Sequence, residues 1–192
     1  RGTPVHLDPK FPGVHGRDRA TYGDPHGVKA GRIADLGRGD WLFFYATLSL
    51  RPHDWAGPGE GSVEGPGAVR AVDDDLAPEW GAYLFAGIRV EQVLSTAAGD
   101  GAVDREAAAA RAPTNAHLKR DPFDARVVVT GDADASGLFD RVVPLSAPEA
   151  GVEANSLVTE LSSDSGKGPW WRRPMAFDEA ATARLLERID PA

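Results

Sequence analysis

A chain of 192 residues with formal net charge −8, 42% hydrophobic and 26% charged residues has the composition of a globular domain long enough to bury a core. It contains no Cys, which excludes disulfides, thiolate metal sites and a cysteine nucleophile. No uninterrupted apolar run approaches the ~20 residues that span a bilayer, and "RGTPVHLDPK" carries no apolar signal-peptide core, so a cytoplasmic protein without a membrane partner is expected.

Residues 1–38 are rich in Gly, Pro, His and Arg and predict loops, with one short strand and a short helix near 27–35. "GRGDWLFFYATLSL" follows, a Gly-Asp turn signal and then an apolar, aromatic run that predicts a buried strand over about 41–49. The stretch 52–79 is too rich in Gly, Pro and acid to build a core, and predicts a long loop or insertion. "WGAYLFAGIRVEQVLS" predicts a strand over about 82–94, with Gly87 marking a bulge or a close backbone approach. "DREAAAARA" predicts a helix over about 103–111, stopped by Pro113. "ARVVVTGD" gives a strand at 126–130, and "DRVVPLS" a fourth. "DEAATARLLERI" is amphipathic: Asp178 can cap it, and Ala181, Leu185, Leu186 and Ile189 share one face. No internal repeat is present. The sum is an α+β fold, a small barrel-like mixed sheet with flanking helices and a C-terminal amphipathic helix. It is expected to be a single domain, 1–192, carrying the acidic insertion at about 52–79.

Charge is unevenly spread. From Pro52 to Glu79 seven acids face Arg70 alone, so this stretch holds −6 of the −8. Residues 1–40 carry seven basic and five acidic groups. Net acidity therefore does not exclude an anionic ligand.

Four polar clusters carry the candidate chemistry: "HLDPKF" with "RATYGDPHG", "GDWLFFY", "NAHLKRDPF", and "KGPWWRRPM". Each has a bland reading. Asp40 closes a turn and caps backbone amides, and Tyr22-Gly23-Asp24-Pro25 reads as a turn in which Gly23 supplies an unusual backbone angle. His6 and His117 read as hydrogen-bonded structural residues. Against this stands density. Asn115, His117, Lys119 and Arg120 fall within six residues, a donor-rich surface suited to phosphate or a base edge. The two clusters at 6–24 and 115–120 are expected to meet in space. His6-x-Asp8 with His117 and Arg126 mimics the facial-triad order of iron- and oxoglutarate-dependent oxygenases. That fold needs strands before its H-x-D pair and only five residues precede it here, so neither a metal nor another cofactor is expected. No Walker loop, nucleophile elbow or zinc-protease helix is present. In "KGPWWRRPM", Trp170 or Trp171 offers a flat face for stacking a base, worth about 1–3 kcal/mol, while Lys167, Arg172 and Arg173 suit phosphate. The competing reading has one tryptophan in the core and its neighbour over an arginine.

The combination of "HLDPKF…ATYGD", "GDWLFFYATL…YLFAGIRV" and "NAHLKR…VVVTGDADASGLFDRVVPLS" resembles the third of the nucleotide-modification-associated domain families, found near phage and prokaryotic DNA-hypermodification genes. More broadly, the Gly-Asp turn, aromatic strand and Gly-x-x-Val strand look like the PUA-like superfamily of EVE, ASCH and YTH modules, small β-barrels that hold a nucleobase, often a modified one. The resemblance covers about 6–146 and marks His6, Asp8, Thr21, Tyr22, Asp24, Gly39, Asp40, Tyr45, Asn115, His117, Arg120, Ser136 and Arg141. It implies a nucleic-acid context and leaves binder and enzyme both open. The leading expectation is a module that recognises a nucleotide or modified base in nucleic acid. The rivals are an enzyme of base hypermodification using His6, Asp8, Asp24 and His117, and a protein-interaction domain using the acidic stretch. The sequence leaves the oligomeric state open.

Overall fold

A computed structural model of the chain describes residues 8–14, 18–49, 80–96, 101–145, 160–162, 164 and 173–189. The acidic stretch 52–79, His6, Lys167, Trp170, Trp171 and Arg172 lie outside the described residues, as does the side chain of Arg141. The named elements are β1 Thr21–Asp24, α1 Gly27–Ala34, β2 Trp41–Ser49, β3 Trp80–Ser95, α2 Arg105–Arg111, a 3-10 turn Ala116–Lys119, β4 Val127–Gly131, β5 Gly137–Pro144 and α3 Glu179–Ile189. The α+β class and the C-terminal helix are as expected.

The strands form an antiparallel sheet in the order β1-β4-β3-β2, with β5 also paired to β3. The sheet is not closed into a barrel, so the barrel-like expectation is corrected to an open sheet. β4 explains its own position. Its sequence VVVTG is buried at every residue, as a β-branched run must be when strands flank it and both faces are covered. β1 pairs with it antiparallel, Tyr22 opposite Val129 and Gly23 opposite Val128. The turn expected at Tyr22–Pro25 is therefore also corrected: TYGD is a fully buried strand, and Gly23 serves packing rather than a turn.

The chain separates into two compact units, one of Arg1–Phe43 with Ala86–Phe139 and one of Phe44–Phe85 with Asp140–Ala192. In the first unit, α2 begins where the Asp104 carboxylate accepts from the Ala107 amide at 2.7 Å and stops at Ala112, one residue before a proline that cannot donate. Its small side chains let it lie close to β4: Val103, Ala108, Ala112, Ala125 and Val128 form one core cluster, flanked by Leu94, Leu118 and Phe123. The Arg105 guanidinium ties this helix to the 3-10 turn through the Leu118 carbonyl at 2.8 Å. That packing places His117 under β1. Gly87 marks a close approach, as anticipated. A Cβ there would sit 2.9 Å from Phe139 and 3.1 Å from the Trp41 ring, so its absence lets Trp41 and Phe43 stack 5.7 Å apart beside Phe139.

In the second unit, the Leu145 amide bonds the Ala82 carbonyl at 2.7 Å. Asp178 caps α3 by accepting from the Ala181 amide at 2.8 Å, and the helix buries Ala181 and Leu185. Among the described residues no helix is long and apolar enough to cross a membrane.

Candidate functional site

The two polar clusters far apart in sequence meet inside the first unit. His117 stands on the 3-10 turn with its side chain fully buried. Its Nδ1 lies 2.6 Å from Asp124 Oδ1, and its Nε2 lies 3.3 Å from Asp8 Oδ2, an ion-pair distance rather than a well-aligned hydrogen bond. The Asp8 side chain is also fully buried, and the same Oδ2 accepts from the Gly23 amide at 2.9 Å. Asn115 caps the turn by accepting from the His117 amide at 3.0 Å. Arg120 donates to the far oxygen of Asp124, so the network runs from a sealed carboxylate, through the imidazole, to a half-buried ion pair. Burial opposes charge on His117, but the carboxylates of Asp8 and Asp124 outweigh it and raise the imidazole above its ordinary value. Burial would likewise raise Asp124, and the bonds from His117 and Arg120 outweigh it and hold that carboxyl below the usual range.

Gly23 is the reason this fits. A Cβ on it would lie 2.7 Å from His117 Cδ2 and 3.0 Å from Asn115 Oδ1. The backbone of β1 is the floor on which the imidazole and amide rest.

A second group lies further along β1. Tyr22 donates its hydroxyl proton to Asp24 Oδ2 at 2.6 Å. Lys29, from α1, reaches the same oxygen at 2.7 Å and the Tyr22 hydroxyl at 3.0 Å. The other Asp24 oxygen accepts from the His26 amide at 2.7 Å. Burial and the Asp24 carboxylate push the Tyr22 phenol up. Burial alone would raise Asp24, but its bonds to Lys29 and Tyr22 hold it down. Asp24 and Tyr22 are buried, whereas the Lys29 side chain is 44% exposed, so it is the part of this group open to solvent.

Thr21 is buried. Asp40 Oδ2 accepts from the Gly37 amide at 2.7 Å, closing the turn its bland reading gave it. Ser136 is buried and its Oγ accepts from the Arg89 amide at 3.0 Å. Burial raises the Tyr45 phenol. Lys119 is exposed. Arg173 grips both oxygens of Asp164 at 2.8 and 2.7 Å, a fork-to-carboxylate pair. Among the described residues no group of three or more His, Asp or Glu side chains is arranged to hold a metal ion.

Comparison with family models gives a match to nucleotide modification associated domain 3 over residues 1–187. The chain belongs to that family. No curated protein and no solved structure matches the chain. Membership ties this nucleotide modification associated domain to nucleotide modification, and its described polar network shows what the unit can do. The buried imidazole, set between Asp8 and Asp124, links the 3-10 turn to the segment before β1.

Proposed function

We propose that this domain recognises a nucleotide or modified base in nucleic acid, in the service of nucleotide modification, and that its His–Asp network is a scaffold rather than a reaction centre. The observation that carries the choice between binder and enzyme is the closure of that network: the side chains of Asp8 and His117 have no exposed surface. A general acid or base must come within hydrogen-bond reach of the proton it moves, and its proton affinity must suit the working pH. The His117 side chain has no exposed surface and the carboxylates of Asp8 and Asp124 raise its proton affinity, which fits a positioning residue. Recognition makes no such demand, since cations and flat side chains at the surface suffice. Trp170 or Trp171 as a stacking face, with Lys167 and Arg172 on phosphate, belongs to the same proposal.

The test is binding of short single- and double-stranded oligonucleotides, with and without a modified base, read by fluorescence anisotropy across a salt series. Binding should weaken linearly with the logarithm of salt concentration as phosphate contacts release counterions, and the modified base should change affinity without changing that slope. Absence of binding to every oligonucleotide at low salt contradicts the proposal.

A further inference from the structure

An open cleft of about 650 Å³ lies on the first unit and shares no lining residue with the His–Asp network. It is lined by Arg19, Arg38 and Arg111 against a single carboxylate, Glu91, with Gln92 and Thr130 between them. In a chain of net charge −8, three guanidinium groups facing one acid make a local reversal of sign. Of the three, Arg19 is paired with Glu91 at 2.7 Å. Arg111 donates to the neutral Gln92 Oε1 at 2.8 Å. Arg38 is exposed and forms no ion pair among the described residues.

The backbone is built to bring these groups together. Arg38 sits on the tight turn between α1 and β2, where Asp40 bonds the Gly37 amide at 2.7 Å. Two further bonds, Gly39 amide to Val90 carbonyl at 2.8 Å and Val90 amide to Asp40 carbonyl at 2.7 Å, lock that turn onto β3. Arg111 ends α2, and Arg19 lies two residues before β1. The β3–β4 register breaks between Val90 and Gln92: Val90 faces Gly131 and Gln92 faces the next residue, Thr130, which leaves Glu91 as an extra residue. Neighbouring residues of a regular strand point to opposite faces. The bulge removes that constraint and lets Glu91 and Gln92 line one cleft, a common use of bulges beside functional sites.

From this geometry we infer that the cleft of Arg19, Arg38 and Arg111 is an anion site that takes the phosphate groups of a nucleotide, free or within a strand. Planar guanidinium forks match phosphate oxygens two at a time, better than a point cation does. The cleft volume falls within the range of small-molecule sites and exceeds what an isolated phosphate needs. Ala110 and Pro113 supply an apolar wall for a sugar or base beside the charged floor. Glu91 is the internal competitor. Its pair with Arg19 is exposed, 58% and 31% for the two side chains, and such pairs contribute little in water, so an arriving phosphate displaces the carboxylate. The nature of the ligand rests on the nucleotide-recognition reading; the existence of an anion site does not.

The test uses the full chain and three probes: inorganic pyrophosphate, a nucleoside triphosphate and a short single-stranded oligonucleotide. The double variant Arg38→Gln/Arg111→Gln changes exposed side chains, so thermal unfolding should be unchanged. It should lower affinity for all three probes by about tenfold to a hundredfold and reduce the salt slope of oligonucleotide binding by about one for each arginine. Glu91→Gln should raise affinity several-fold by removing the competitor. A strand much tighter than the triphosphate identifies a polymer as the source of the phosphate; equal affinities identify a free nucleotide. If the parent binds the oligonucleotide and the double variant binds it equally well, the cleft assignment is overturned while nucleic-acid recognition stands. If pyrophosphate binds and is lost in the double variant, but neither nucleotide nor oligonucleotide binds, the anion site is upheld and the recognition reading fails. Absence of binding by the parent to every probe overturns both.

Discussion

Replacing His117 with Gln should destabilise the fold by about 3–5 kcal/mol, the usual consequence of removing one partner of a buried ion pair. The carboxylate of Asp8 is the reason. It is fully buried beside Nε2, one of its oxygens, Oδ1, has no hydrogen-bond partner among the described residues, and a neutral amide cannot balance its charge. The double variant Asp8→Asn/His117→Gln should recover part of the loss, because it removes the stranded charge along with the cation. The pH dependence gives an independent reading. The folded imidazole binds its proton more tightly than the unfolded one. Its stabilising contribution is therefore complete below the unfolded value of about 6.5 and is lost as pH rises through the raised folded value. Asp124 has the opposite shift: its contribution is present above about 3.9 and lost as pH falls through the depressed folded value. Denaturant melts of the parent should show stability falling as pH rises above about 6.5, and that fall should be absent in His117→Gln. A variant that costs under about 1 kcal/mol and keeps the parent's alkaline slope would show that the imidazole is not the paired cation of the network.

Gly23→Ala should cost about 1–3 kcal/mol, in the range of overpacking a filled core. The added methyl carbon would sit 2.7 Å from His117 Cδ2 and 3.0 Å from Asn115 Oδ1. Neither neighbour yields easily. His117 is held on both sides of its ring by carboxylates, and the Asn115 oxygen is held by the His117 amide. The strand cannot retreat either, since the Gly23 amide is bonded to Asp8 and β1 is paired along its length to β4. Gly31→Ala is the matched control. That glycine lies within α1 with nothing within 4 Å of an added Cβ, and alanine there should stabilise by about 0.5–1 kcal/mol through helix propensity and the unfolded chain. Equilibrium unfolding of the two variants side by side reads the contrast. Equal stabilities would mean that β1 does not serve as the floor of the network.

The elements legible in the sequence are those whose signal is local. β2, β3 and β4 announce themselves as aromatic or β-branched runs, and α3 by an apolar stripe behind an Asp cap; their limits fall within about two residues of the expected ones. The short strand expected within 1–38 could not be placed at β1, because its four residues include Gly and Asp and a Pro follows them, the vocabulary of a turn. Only the imidazole and amide resting on Gly23 explain that glycine, and they lie over 90 residues away in the chain. The barrel expectation was read from the succession of strands and seconded by the resemblance, but no periodicity in the chain distinguishes a closed sheet from an open one. His117 and Asp8 stood out by type, and their full burial favours the structural reading that the sequence also allowed for His117. Asp124 was missed because an acid next to a run of polar residues reads as solvent-facing. The arginine cleft was missed for a topological reason. Arg19, Arg38 and Arg111 come from three separate segments, and the bulge at Glu91 that completes the lining leaves no mark in "RVEQV" beyond its consecutive polar residues.

The central claim is a division of labour within the first unit: a sealed His–Asp scaffold and a separate cationic cleft that meets the ligand. The most direct measurement is a nuclear magnetic resonance titration of isotope-labelled protein with a short oligonucleotide, following backbone amides, arginine side chains and the His117 imidazole together. The account predicts shifts confined to the cleft, at Arg19, Arg38, Gln92 and Arg111, with the His117 ring resonances unmoved at saturation. Shifts centred on His117, Asp124 and Arg120 with the three arginines silent would contradict it.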